Sequence, residues 1–269
     1  MPQSAALELG QEADFERRFS GLQRLYGVAG ASRIANAHAV VVGLGGVGSW
    51  AAEALARSGV ARLTLIDLDH IAESNVNRQV HALSATLGQA KVQAMRERIA
   101  QIHPGCRVEA IEEFVDADNW PALAVGAEPD TPLAVIDACD QIRAKTAMAA
   151  WALTHGLTLV SVGAAGGKRH AHRVDVADLS EVTHDPLLAQ LRYQLRKHHQ
   201  ASRVKKIGLA CVFSREPVLQ PAQVCEPGAA PSSDGSLNCH GYGSTVAVTA
   251  AFGMCAAGWV LDRLAGQAA

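Results

Sequence analysis

Four charged residues stand where their types and spacing can do chemistry together: Asp67, Arg78, Lys91 and Asp140. Arg78 and Lys91 are long cations that follow a strand end carrying an acid. Paired cations of this kind suit a polyphosphate, whose charge would otherwise be unmatched. Asp140 lies at the end of another apolar run, and a carboxylate beside phosphates most simply holds Mg²⁺ through hard oxygen ligands.

A glycine turn sets where the phosphates would lie. Gly43, Gly45 and Gly48 in "GLGGVG" satisfy G-x-G-x-x-G, with Gly46 between them. Gly43 allows the tight turn, Gly45 lets backbone approach a phosphate, and Gly48 lets helix pack on strand. The helix that follows offers free N–H groups and a partial positive charge, worth about 0.3–1 kcal/mol towards an anion. Asp67 closes the next strand, where a carboxylate can take both ribose hydroxyls. This much fits NAD as well as ATP.

The stretch "DLDHIAESNVNRQ" discriminates between them. An NAD site needs one acid here and little more. Asp67 and Asp69 are instead followed by Asn75, Asn77, Arg78 and Gln79, and then by Lys91 in "GQAKV". In "VIDACDQ", Asp137 and Asp140 fall at the carboxyl end of a strand, where ligands of open α/β sheets bind. Asp140, with Gln141 beside it, is the expected functional acid. For Asp137 a purely structural part stays open, since one of the two acids can cap the helix that begins near Gln141.

These residues need a frame. Short apolar runs predict buried strands over His38–Val42 and Leu133–Asp137, and further strands are predicted over Arg62–Asp67 and Arg107–Ile111 and in "LTLVSVGAAGG". Helical spacing predicts helices over Val47–Ser58, Gly88–Gln101 and Gln141–His155, and two short helices between Phe15 and Asn36 around "YG". Alternation of strand and helix implies right-handed crossovers and a parallel sheet. Beyond Gly167, "HRVDVADLS" and "IGLACVFS" read as strands flanking a helix over Pro186–His199. The predicted fold is α/β, with a Rossmann-like, doubly wound, mainly parallel sheet continuing into a mixed sheet with a long crossover loop. Residues 1–14 read as a flexible tail. Residues 15–269 read as one domain, with an ATP-binding half to about 165 and a substrate-binding half from about 166.

Bulk properties exclude little. A net charge of −2 gives no global bias towards nucleic acid or membrane. The six cysteines are scattered through a chain too long to need a disulfide framework, and no two form CxxC, so no zinc site is predicted. No secretory signal precedes Gly21, and a reducing cytoplasm is the expected setting. The uncharged stretch 243–261 has the length of a membrane span. Its Gly, Ala, Ser and Thr content favours a buried helix instead.

Together, "GLGGVGSWAAEALARSGV", "LTLIDLDHIAESNVNRQ", "GQAKV" and "VIDACDQ" resemble the ubiquitin-activating-enzyme-like superfamily of ATP-dependent adenylating proteins. The resemblance implies ATP at the glycine turn and Asp67, phosphate contacts from Asn75, Arg78 and Lys91, and Mg²⁺ at Asp140. It implies attack of a carboxylate on the α-phosphate, giving an acyl adenylate and pyrophosphate. Further stretches, "RLYG", "NVNRQVHAL", "VGAAGGKRH", "DPLLAQLR", "ACVFSREPV" and "NCHGYGSTVAVTAAFG", resemble the tRNA-modifying branch over nearly the whole chain. That likeness implies ATP-dependent dehydration of threonylcarbamoyladenosine beside the tRNA anticodon. It also implies a homodimer and a sulfur-transfer accessory protein of the cysteine desulfurase kind. DNA is not an expected partner.

An arginine that reaches across the dimer in a related branch aligns here with Gly21, leaving Arg18 and Arg24 as candidates. A tRNA substrate demands cationic surface. Candidates are Arg192, Arg196, Lys197, Arg203, Lys205 and Lys206 in one acid-free segment, and Lys168 and Arg169 with His170 and His172 in a second cluster. Tyr193 can stack on a base. Cys239 lies in the long loop and reads as an incidental thiol, while Cys106, Cys139, Cys211 and Cys255 are expected to be buried. The pair His198–His199 gives no metal site, because adjacent helical side chains diverge. Rival readings are adenylation of the C-terminal glycine of a ubiquitin-like sulfur carrier, an NAD-dependent oxidoreductase, and a non-catalytic nucleotide-sensing adaptor.

Overall fold

The computed structural model describes residues 14–124, 132–219 and 242–266. The predicted tail up to residue 13, the long loop with Cys239, and Cys225 lie outside the described residues.

Helices α1 (Phe15–Phe19) and α2 (Gly21–Ala35) open the described chain, and α2 bends at Gly27, whose φ of 72° and ψ of 166° are not helical. A bend at "YG" is where glycine's freedom to adopt positive φ is needed. Strand β1 (His38–Val42) is buried along its whole length, as expected of a central parallel strand covered on both faces. Next come α3 (Gly48–Arg57), β2 (Arg62–Ile66), α4 (Lys91–Ile102), β3 (Arg107–Ile111) and β4 (Leu133–Asp137). A short helix between β3 and β4, α5 (Trp120–Ala124), has no forecast in its sequence pattern. It spans barely more than one turn, too short to show a period. The chain continues through α6 (Ile142–His155), β5 (Thr158–Val162), β6 (Val174–Asp178), α7 (Pro186–His198), β7 (Ala210–Ser214) and α8 (Val246–Leu264).

The seven strands form one sheet in the order β3-β2-β1-β4-β5-β7-β6. All pairings are parallel except β6 with β7, which is antiparallel. The mixed edge matches the expected continuation of the parallel sheet. Strand order reverses between β1 and β4, which opens a crevice at the carboxyl ends of those strands.

Apolar side chains from α3, α4 and α8 cover one face of the sheet, with Leu55, Met95 and Phe252 fully enclosed. Met148 of α6, Leu188 and Leu191 of α7, and Trp120 cover the other. Each such side chain contributes about 1.5–3 kcal/mol through removal from water. Helix α8 resolves the ambiguity of the uncharged stretch. Its length and composition match a membrane span. Yet Val248, Phe252, Ala256, Val260 and Leu264 form a stripe buried in the core. At Gly253 a Cβ would lie 2.5 Å from the Val47 carbonyl, so α8 packs directly on the start of α3. The C-terminal part of the chain thereby braces the glycine turn.

Candidate active site

A cleft of about 430 Å³ opens at the strand-order reversal. Gly43, Gly45 and Gly46 form one wall, Asp67 and Asp69 the next, and Asp140 and Gln141 the far side. Asn75, Arg78, Gln79 and Lys91 complete the predicted lining. Residues distant in sequence thus meet because β1, β2 and β4 end at one level.

The glycines divide their work much as the spacing implied. Gly43 has φ 85°, and a Cβ there would lie 2.9 Å from the backbone of Ala138 and Cys139. Any side chain would force the β1 and β4 loops apart. A Cβ on Gly45 would meet nothing within 4 Å, which leaves backbone at the cleft wall open to a ligand. Gly46 fits against the Arg78 stem and Thr249. Gly48 lies beneath the cleft, where a Cβ would collide with the Gly43 carbonyl. Helix α3 begins at Gly48 without a side-chain cap; the Ser49 N–H is taken by the Gly45 carbonyl at 3.2 Å, and the positive end of the helix is what the turn presents to an anion.

Asp67 is fixed by its own loop. Its carboxylate accepts hydrogen bonds from the Leu44 N–H at 2.5 Å and the Asp69 N–H at 2.8 Å. Burial pushes its pKa above the usual carboxylate value, although Lys91 and those two N–H groups pull the other way. Lys91 is buried, with Nζ 2.7 Å from Asp69 and 3.9 Å from Asp67. Its positive charge sits between two acids at the edge of the cleft. Arg78 bends back on its own turn, donating from Nη1 to the Ser74 carbonyl at 2.8 Å and to Asn77 Oδ1 at 2.9 Å. Trp50 Nε1 donates to the Arg78 carbonyl at 2.9 Å, which ties that turn to α3. Gln79 is buried, and its Oε1 has no hydrogen-bond partner among the described residues.

The two asparagines of this turn are placed differently. Asn77 does not line the cleft; its amide donates to the Ser244 carbonyl at 3.2 Å and fastens the turn to the chain before α8. Asn75 does line it, but its Oδ1 already accepts from the Ala72 N–H at 3.0 Å.

The two acids after β4 separate completely. Asp140 lines the cleft. Asp137 is fully buried, 2.9 Å from Lys145 Nζ and 2.7 Å from the Ser161 hydroxyl that donates to it. Helix α6 has Gln141 as its N-cap and no side-chain cap bond. Asp137 therefore is not held as a cap but by a fully buried ion pair. Burial opposes the charge on Lys145, but Asp137, together with Cys139 and Cys211 beside it, holds the lysine pKa above its usual value. Lys145 was not legible as a partner in the sequence; only its place one turn into α6 points to it.

Several lining residues carried no advance signal. Glu113, Phe114 and Val115 follow β3, and Ala164, Ala165 and Gly166 follow β5. Phe114 is 61% exposed, an apolar ring beside the cleft. Leu187, Ser244 and Thr249 reach in from the second half of the chain.

The basic candidates also sort themselves. Lys168 is buried, and its Nζ is held by the carbonyls of His184 and Glu216, so it cannot meet RNA. Arg192 donates to the carbonyls of Leu179 and Val182, each at 2.9 Å, and Arg196 to that of Ser202 at 3.1 Å. These two serve the fold. Lys197 lies over the Tyr193 ring, and Lys206 is 3.4 Å from Glu181. Arg169, Arg203 and Lys205 are exposed. Arg18 donates to the Ile102 carbonyl at 2.5 Å, while Arg24 is exposed on α2. Of the four cysteines expected to be buried, only Cys211 is fully so. Burial still pushes the Cys106 thiol up to about 12 and the Cys139 thiol well above its usual value.

The profile of the ThiF family matches residues 17–269. The chain is 40% identical to the tRNA threonylcarbamoyladenosine dehydratase of Escherichia coli, over 95% of this chain and 96% of that one. It is 39% identical to the enzyme of that name from Haemophilus influenzae, over 93% and 94%. The crystal structure of the E. coli dehydratase in complex with ATP superposes with a TM-score of 0.81, covering 93% of this chain and 94% of that one. A further crystal structure of the E. coli enzyme contains AMP. The α/β sheet, the glycine turn and a family match over residues 17–269 lead to one assignment: this chain belongs to the ThiF family.

Proposed function

We propose that this chain is an ATP-dependent dehydratase that cyclises threonylcarbamoyladenosine in tRNA, beside the anticodon, by adenylating the threonyl carboxylate. The observation that carries this reading is one cleft joining the glycine turn, Asp67, Arg78, Lys91 and Asp140 in a chain that matches such enzymes end to end.

A carboxylate is a poor electrophile, so it must gain a leaving group. One carboxylate oxygen forms a bond to the α-phosphorus, and the bond from that phosphorus to the bridging oxygen breaks. Pyrophosphate leaves with the electron pair. An internal nucleophile then attacks the activated carbonyl carbon and loses a proton, and AMP departs carrying the former carboxylate oxygen. The net loss from the nucleoside is one water.

The protein's task is to hold the reactants and match the charge that builds on phosphate. The glycine turn and the positive end of α3 meet the phosphates where Gly45 leaves the wall open. Asp67 is placed for ribose hydroxyls. Lys91 and Arg78 supply the cations, each by leaving its present partners. Phe114 offers an apolar face for a base. No dedicated base is needed for the first step, because the attacking carboxylate is already ionised at neutral pH.

Mg²⁺ belongs to the same reading. Asp140 supplies one hard oxygen at the cleft, and Mg²⁺ commonly binds one or two carboxylates and takes its remaining oxygens from phosphate and water. The donor set fits, and the ion would add positive charge beside the phosphates. A homodimer completes the site in this reading. Arg24 is the better candidate to cross the interface, since Arg18 is tied within its own chain. Leu25 and Val28, 71% and 73% exposed beside Arg24, offer apolar surface for that contact. A sulfur-transfer protein is a further expected partner, and the cytoplasm the expected setting.

The test is direct. Purified protein, Mg-ATP and tRNA bearing threonylcarbamoyladenosine are incubated, and the nucleoside is weighed. Loss of one water that depends on ATP and disappears in Asp140→Ala is expected. Pyrophosphate release only with a small ubiquitin-like carrier protein would replace this reading with the sulfur-carrier one.

A further inference from the structure

The antiparallel β6–β7 edge separates the basic residues into two groups at opposite ends of the sheet. Lys205 and Lys206 precede Ile207 and Gly208, whose N–H groups bond Asp178 at the end of β6. They lie at the amino end of β7. Lys197 stands ten residues beyond Leu187 on α7, about 15 Å further along at roughly 1.5 Å per residue. Leu187 lines the cleft, so this group points away from it.

The second group is at the other end. β7 runs parallel to β5, and the Gly163 N–H donates to the Val212 carbonyl at 2.9 Å. The carboxyl end of β7 therefore lies level with the cleft. Arg215 follows it directly, and the Arg215 N–H donates to the Arg173 carbonyl at 3.0 Å. Gly166 lines the cleft, and Arg169 is three residues on, at most about 11 Å away at roughly 3.8 Å per Cα step. His170, His172 and Arg173 follow on an exposed turn. A shallow groove of about 320 Å³ is lined by His172, Arg173, Val174, Asp175 and Arg215. Nearby acids are largely spent. Asp175 pairs with Arg215 at 2.5 Å, so this pair adds little net charge and Arg169 and Arg173 carry the positive charge here. Glu216 is buried and accepts from the N–H groups of Arg169 and His170 at 3.0 and 2.9 Å.

We infer that Arg169 and Arg173, with the groove beside His172, receive the RNA phosphates that adjoin the reacting nucleoside. The inference rests on the tRNA reading above and adds the surface that reading lacks. A nucleoside in the cleft stays joined to its flanking phosphates, which must leave at the cleft mouth. Cations at that mouth meet them, whereas cations at the amino end of β7 do not.

The experiment compares Arg169→Glu/Arg173→Glu with Arg203→Glu/Lys205→Glu/Lys206→Glu in the full chain. Binding of tRNA is measured across a range of salt, and ATP affinity and thermal midpoint confirm that each variant is folded. Losing two contacts should weaken tRNA binding about tenfold near 0.15 M salt and lower the log–log salt slope by about 1.4. ATP affinity should hold, and the triple variant should bind tRNA nearly as wild type. Unchanged affinity in the double variant, or a larger loss in the triple one, overturns the inference while leaving the dehydratase reading intact if wild type still converts the nucleoside. A wild-type chain that neither binds nor converts the tRNA overturns both.

Discussion

Two strand ends in this molecule carry an aspartate beside a lysine, and they do opposite things. At the end of β2, Asp67 and Lys91 lie 3.9 Å apart at the wall of the cleft, with Asp69 sharing the lysine. At the end of β4, Asp137 and Lys145 lie 2.9 Å apart with no exposure at all. Both pairs are acid and cation on neighbouring elements of one sheet. The difference is closure. Asp137 has its oxygens taken up by Lys145, Ser161 and Cys139. Asp67 is anchored on two N–H groups yet still borders open space. An acid at a strand end becomes a ligand group only where the surrounding loops leave it a free approach.

The sharpest way to break this contrast is to remove Lys145. Lys145→Met leaves Asp137 buried and unpaired, which should cost about 3–5 kcal/mol of stability in chemical denaturation. Adding Asp137→Leu should restore much of the loss, because apolar replacement of both partners removes the stranded charge. A cost below about 1 kcal/mol for the single variant, within the usual range for an exposed pair, would mean that the β4 pair is not structural.

Asp140, three residues on, should behave in the reverse sense. Asp140→Asn is expected to lower kcat/KM for dehydration by about 10²–10³ while the thermal midpoint stays close to wild type. A variant that loses stability and activity together would place Asp140 with Asp137 rather than with the cleft.

The smallest effect concerns Asp67. Burial raises its pKa in the folded chain. From the unfolded carboxylate value up through that raised value, the native state binds more protons than the unfolded state. Stability then falls as pH rises through the window, and the penalty persists at neutral pH. Asp67→Asn should raise the thermal midpoint of the free protein at neutral pH and flatten that part of the pH profile. It should also weaken ATP binding by about 10- to 100-fold, the loss expected for hydrogen bonds to a charged group. A lower midpoint at neutral pH would mean that the Lys91 attraction outweighs burial.

Much of the frame was legible in the chain itself. The ranges His38–Val42 and Leu133–Asp137 are legible as apolar runs bounded by turn residues, because a doubly covered parallel strand has no polar face to disguise it. The glycine turn, Asp67, Arg78, Lys91 and Asp140 were legible because each carries a distinct chemical type at a strand or helix end. Lys145 was hidden: nothing local distinguishes a lysine facing solvent from one facing a buried carboxylate eight residues earlier. Phe114 and Gly166 were hidden for the same reason, since only the sheet order brings their loops to the cleft.

What the sequence determined alone was chemistry and period: a nucleotide turn, two cations, a terminal acid, and alternating strands and helices. These are properties of short segments, set by side-chain type and by repeats of two and 3.6 residues. Only the tertiary structure decided which charges are available. It buried Lys168, spent Arg192 and Arg196 on carbonyl groups, locked Asp137, and put Lys205 and Lys206 at the far end of β7. The physical reason is that exposure and direction depend on how crossovers order the strands and which end of each strand faces the cleft. No window of sequence contains that information.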